Sequence, residues 1–263
     1  MRQTIIFIVL FFYLCSCNNE SSPVAKTETI SEEKQLMESI KKYPDSLLLM
    51  ENLVKYYTKN NNCDNAIAVI NDAIQKDSTI DKLWDIKAML HFENDDTLNA
   101  IKAYEKALAI YPAPEYIMSL GSLYAATKNP MALEMADALI VANKANANKE
   151  ALFIKGLYYN YINDKQKAIE FFDSCLALDY TFMFAYREKA IALYDMRKYN
   201  DALKVLDKAV TLQNDFDEGY YWRGRCLEKQ KKINEAIEEY KTALLYDPNF
   251  IEAQDALAKL GVK

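Results

Sequence analysis

The stretch EAIEEYKTALLYDP, residues 235–248, sets two alanines seven apart, Ala236 and Ala243, around an aromatic Tyr240, and stops at Pro248. Its apolar positions recur every three or four residues, the period of an amphipathic helix. A helix with small residues where a core wants large ones implies that a neighbour comes close at those points. Thirty-four residues earlier, DALKVLDKAVTLQN carries Ala202, Leu206 and Ala209 in the same slots. KAIEFFDSCLALDY gives Ala168, Phe172 and Cys175; NAIKAYEKALAIYP gives Ala100, Tyr104, Ala107 and Pro112; NAIAVINDAIQKDS gives Ala66, Ile70 and Ala73. Pro44, Pro112 and Pro248 fall on the same 34-residue lattice.

Each of these segments has an upstream companion. YYWRGRCL (220–227), YREKAIAL (186–193), LFIKGLYY (152–159), IMSLGSLY (117–124), WDIKAMLH (84–91) and MENLVKYY (50–57) align. A large residue leads, a small one follows four places on, and a bulky one comes three later. The small residues are Gly224, Ala190, Gly156, Gly121 and Ala88, with Val54 as the exception. Both halves carry the helical period, and short polar turns such as KQKKIN and DMRKYN separate them.

The unit resembles the tetratricopeptide repeat, a helix–turn–helix of about 34 residues with a W-x2-L-G-x2-Y…A-x3-F…P pattern. Six copies fit, at 47–80, 81–113, 114–148, 149–182, 183–216 and 217–250. The resemblance implies an all-α, right-handed α-solenoid in which small residues let paired helices close up and large ones fill the space between. The third copy is the weakest. NPMALEMADALIVAN puts Ala136 where the pattern wants an aromatic, and a local bend or a reshaped turn is expected there.

The flanks read differently. Residues 31–46 are expected to form an N-terminal capping helix, with Ser31 as N-cap and Glu32 and Glu33 in its first turn. Residues 251–263 are expected to form a C-terminal capping helix stopped by Gly261. Residues 1–16 have a basic Arg2 and an apolar run from Ile5 to Leu14, shorter than the ~20 residues that span a bilayer. They read as a signal peptide. LCSC (14–17) resembles the lipobox of bacterial lipoproteins, with Cys17 the lipid attachment residue; an uncleaved anchor or an ordinary signal peptide is the alternative. Residues 17–30 then form the lipidated cysteine and a flexible tether.

The formal charge is −6, without a Lys/Arg cluster, which argues against a nucleic-acid partner and against broad attraction to anionic lipid. Membrane contact is therefore expected through the lipid on Cys17. Cys63, Cys175 and Cys226 are far apart in sequence and form no metal-spaced pair; no disulfide, metal or cofactor is expected. His91 takes a packing slot, and no catalytic set or phosphate loop is present, so the chain is read as a non-enzyme.

In tetratricopeptide proteins a concave groove is lined by the second, fifth, ninth, twelfth and thirteenth residues of each first helix. Carried onto this sequence, those slots name Met89, Phe92 and Met118, then Phe153, Leu157, Asn160 and Tyr161. They continue with Phe184, Arg187, Ile191 and Tyr194, and end with Tyr221, Arg225 and Glu228. The aromatics are expected to face solvent in the free protein and a peptide or helical segment in a complex, with Arg187 and Arg225 available to a carboxylate. The Lys and Asn with which some members hold a C-terminal carboxylate are not matched: Glu51 with Lys55, Asp85 with Met89, and Phe153 with Leu157 stand there. The resulting expectation is a lipid-anchored adaptor of the bacterial envelope, at the outer membrane facing the periplasm. The alternative is a structural or regulatory lipoprotein that self-associates, as a homo-oligomer, through the same groove.

Overall fold

A computed structural model describes residues 31–142 and 148–262. The expected signal peptide, Cys17 and tether lie outside the described residues. Regular structure among the described residues is helical throughout, with no strand. By its packing the chain divides into two units, the first ending at Ala103 and the second beginning at Tyr104. Unit 1 holds α1 (Glu32–Lys42), α2 (Leu47–Lys59), α3 (Cys63–Lys76), α4 (Asp81–Glu93) and the start of α5 (Thr97–Ile110). Unit 2 holds the rest of α5, then α6 (Pro114–Ala126), α7 (Met131–Ala142), α8 (Asn148–Tyr161) and α9 (Lys165–Leu178). It continues with α10 (Met183–Asp195), α11 (Tyr199–Leu212), α12 (Asp217–Lys229), α13 (Ile233–Tyr246) and α14 (Ile251–Lys259). Even-numbered helices are the first, or A, helices of the repeat; odd-numbered ones are the B helices.

In unit 1 the core is built from Leu53, Val54 and Tyr57 of α2, Ala66 and Ile70 of α3, and Leu83 and Ile86 of α4. Helix α1 covers it with Leu36 and Ile40. The Ser31 hydroxyl accepts the Lys34 N–H at 3.4 Å, and the Tyr57 hydroxyl donates to Glu33 Oε1 at 2.7 Å. Burial, and then the Glu33 hydrogen bond, push the Tyr57 phenol up to about 12.

Unit 2 shows why the small slots recur. A Cβ added at Gly156 would meet the Phe172 ring of α9, with Cδ1 at 2.6 Å; one at Gly224 would meet the Tyr240 ring of α13, with Cε1 at 2.6 Å. Where the A helix has Ala190, the B helix has the smaller Leu206, and both are buried. Each pair thus conserves volume across the helix–helix contact, as close packing requires. In the third copy the turn between α6 and α7 is the ordinary one, closed by left-handed Lys128 and the Asn129 N–H donating to the Tyr124 carbonyl at 2.8 Å. Ala136 leaves room at Gly121, and the space is taken by Ile154 of the next A helix, 2.9 Å from an added Cβ. Within unit 2, helices pack chiefly on elements one or two places away along the chain.

The A helices from α2 to α14, wherever the next residues are described, end alike. Asn61, Asp95, Lys128, Asn163, Arg197, Lys231 and Gly261 are left-handed, with φ between 55° and 76°. The residue after each donates back to the carbonyl five residues earlier, from Asn62 to Tyr57 at 2.9 Å through Val262 to Leu257 at 3.0 Å. This is the Schellman closure of a helix C-terminus. Six of the seven left-handed residues carry a side chain, and the conformation costs an L-residue about 1–2 kcal/mol. Arg197→Gly should therefore raise stability by about 1 kcal/mol after glycine's own entropy cost, read as a melting temperature about 2–4 °C higher. A melt no higher than wild type would show that the Arg197 side chain offsets the strain.

Candidate partner-binding face

The slots expected to bind a partner fall on the A helices of both units. In unit 1, Met89 and Phe92 of α4 are exposed. In unit 2, Met118 of α6 and Phe184 of α10 are exposed, Phe184 at 45%. Tyr161, Arg187, Ile191, Tyr194, Arg225 and Glu228 are half-buried.

Four of the named residues are not available as expected. Phe153, Leu157, Asn160 and Tyr221 are buried, at 7–8% exposure. For the two aromatics the reason lies in the residue that precedes the next A helix. Phe153 meets Phe182 edge-on at 5.2 Å and Phe172 at 6.0 Å. Tyr221 meets Phe250 at 5.0 Å and Tyr240 at 5.8 Å. Phe182 and Phe250 are the N-cap residues of α10 and α14, and Phe216, the N-cap of α12, stands midway on the same 34-residue lattice. That spacing was present in the sequence and would have marked fifth-slot aromatics as interior. Asn160 is fixed by the Lys165 ammonium, which donates to its Oδ1 at 2.7 Å and also reaches Asp195.

The two arginines have different surroundings. Arg187 is occupied: its Nη1 donates to both oxygens of Glu218 at 2.7 Å, and its Nε donates to Glu188 at 3.1 Å. Burial pushes the Glu188 carboxyl above its ordinary range, and Arg187 draws it partly back. The expectation that Arg187 is available to a partner's carboxylate is thus corrected, because Glu218 holds that place. Arg225 lies 5.6–5.7 Å from the ring centroids of Tyr194, Tyr221 and Trp222. Its Nη1 donates to the Tyr221 hydroxyl at 2.6 Å and its Nη2 to that of Tyr194 at 3.4 Å. No carboxylate among the described residues forms an ion pair with it. Trp222, not named among the slots, completes this aromatic enclosure. Glu228 accepts the Tyr240 hydroxyl at 2.8 Å and so serves the core pair of α12 and α13.

Two of the cysteines are closed off from solvent chemistry. Cys175 and Cys226 are buried, and burial pushes both up to about 12, so they stay protonated at neutral pH. Among the described residues no cluster of His, Cys, Asp and Glu could hold a metal, and no helix is long and apolar enough to cross a membrane.

Models of the family described as "Tetratricopeptide repeat" match residues 81–114, 149–182 and 193–260, together more than half of the chain. The chain is 30% identical over 94 residues to the Protein STIP1 homolog of Dictyostelium discoideum, covering 36% of this chain and 17% of that protein. It is 23% identical over 243 residues to the TPR repeat-containing protein MJ1428 of Methanocaldococcus jannaschii, covering 86% of this chain and 42% of the relative. The chain thus spans less than half the length of either relative. A solved tetratricopeptide repeat protein from Parabacteroides merdae superposes with a TM-score of 0.71 at 19% identity, over 86% of this chain and 90% of that one. That likeness is one of fold.

Proposed function

Because the chain belongs to the tetratricopeptide repeat family, whose members are protein-interaction scaffolds, we propose that it is an adaptor holding an acidic segment of another protein against the A-helix face of unit 2. The observation that carries this reading is Arg225. Its guanidinium is half-buried among three rings, and its side-chain partners are hydroxyls rather than a carboxylate. Such a cation keeps donors and field for an incoming acid, and a charge-assisted hydrogen bond to it is worth about 1.5–3 kcal/mol. Exposed Phe184, on the neighbouring A helix, supplies apolar surface for the same segment. We further read the adaptor as lipid-anchored through Cys17 in a bacterial envelope, at the outer membrane facing the periplasm. Support for that is the short apolar leader and the LCSC stretch.

The test is a peptide array of Asp/Glu-rich segments beside their Asn/Gln counterparts. Wild type should capture the acidic set with a signal that falls with salt, and Arg225→Gln should weaken capture about 10-fold or more. Equal capture of acidic and amide peptides, or an Arg225→Gln variant that binds like wild type, would sink the reading. The anchor is tested separately: Cys17→Ala should move the expressed protein from the detergent phase to the aqueous phase. Retention in detergent would remove the anchor and leave the partner reading standing.

A further inference from the structure

Helices α9, α10 and α11 of unit 2 leave a cleft of about 340 Å³, lined by Tyr186 and Lys189 of α10, Asp173 of α9, and Lys204 and Lys208 of α11. None of these residues belongs to the A-helix slots described above. Tyr186 is 2% exposed and lies beneath Lys208, whose ammonium is 5.7 Å from the ring centroid. Its hydroxyl is buried without a hydrogen-bond partner.

The repeat shows how such a side-chain tip is otherwise satisfied. At the same register, Trp84 Nε1 donates to the Ser78 carbonyl at 2.9 Å, and the Tyr220 hydroxyl donates to the Asn214 carbonyl at 3.1 Å. Each acceptor lies six residues back. The corresponding bond from Tyr186 to the Tyr180 carbonyl is not made, and a buried hydroxyl left in that state calls for an explanation. The charges around it are uneven. Lys189 is held by Asp173 across the cleft, and Lys204 pairs at 3.2 Å with exposed Asp201 on its own helix. Lys208 has no ion pair among the described residues, only the Tyr186 ring.

We propose that this cleft binds a phosphate-type oxyanion through the ammonium groups of Lys204 and Lys208 and the hydroxyl of Tyr186, with the flexible Lys208 side chain moving off the Tyr186 ring to open the hydroxyl, which is closed to the cleft in the free protein. A tetrahedral oxyanion accepts from three donors at once and brings the negative charge that Lys208 lacks. A lone water would satisfy the hydroxyl but not the charge, and the cleft is many times the ~30 Å³ that one water occupies. The same chemistry is offered by free phosphate and by the headgroup of a phosphomonoester lipid.

The experiment uses the full chain and inorganic phosphate, titrated by calorimetry and by thermal melts at ionic strength held constant with chloride. Wild type should bind saturably and melt higher with phosphate. Tyr186→Phe should bind about 10-fold more weakly, and Lys204→Met/Lys208→Met at least as weakly. Without phosphate, Tyr186→Phe should melt no lower than wild type, since it loses only an unpaired hydroxyl. Phosphatidylcholine vesicles with and without phosphatidic acid separate the sources. Tyr186-dependent binding to the phosphatidic acid vesicles assigns the ester, and dependence in the phosphate titration alone assigns the free ion. If Tyr186→Phe binds phosphate as tightly as wild type, the lysines act only as a diffuse positive field and the site is refuted. Absence of saturable binding by wild type beyond the chloride control refutes it equally.

Discussion

Gly156→Leu should lower the stability of unit 2 by about 3 kcal/mol or more, seen as a melting temperature roughly 10 °C lower. The first added carbon already lands on the Phe172 ring, with Cδ1 at 2.6 Å, and the remaining three have no volume to enter. Phe172 cannot swing aside, because it is fully buried and also packs on Phe153. The strain must be relieved by moving α8 off α9. A size exchange tests that account: Gly156→Ala with Phe172→Leu should be more stable than the sum of the single changes predicts, since Ala190 with Leu206 is that same pair one repeat on. If Gly156→Leu melts with wild type, or the exchange shows no coupling, α8 and α9 do not meet at this point.

Phe153→Ala should cost about 3–5 kcal/mol, the usual range for emptying a buried aromatic site. Its ring contacts three others, Phe172, Phe182 and Phe184, so its removal leaves a cavity with few ways to collapse. Phe184→Ala should by contrast stay within about 1 kcal/mol, because nearly half of that residue is already in water. Urea titrations of the two variants decide the matter. Equal losses would mean that exposure does not separate the interior aromatics of this face from those free to meet a partner. A small loss at Phe153 would return it to the binding surface.

The helices, their pairing and the small slots were legible because each is set by a pattern the chain repeats. Gly156, Gly224 and Ala190 each have a partner of complementary size at a fixed distance along the sequence. The face was only half legible. Position on a helix says which way a side chain sets out, and not what it meets. Phe153 and Tyr221 take the same slot as Arg187, but each is covered by a phenylalanine from the following N-cap. Arg187 and Arg225 are both on the face, but of the two only Arg187 is ion-paired among the described residues, with Glu218 of the adjoining A helix and with its neighbour Glu188. Those outcomes depend on pairs about 30 residues apart, which a reading of one helix at a time does not capture. The unpaired Tyr186 hydroxyl was beyond sequence reasoning, since Tyr220 at the same register is satisfied.

Packing between elements that are near in the chain also governs how the protein comes into being. Each helix of unit 2 finds its main contacts one or two helices away. The entropy lost in closing the intervening segment is therefore small, and no contact must await a distant stretch. A chain emerging from the ribosome can secure α8 against α9 while α12 and α13 are still being synthesised. Each completed pair then presents the surface on which the next one condenses.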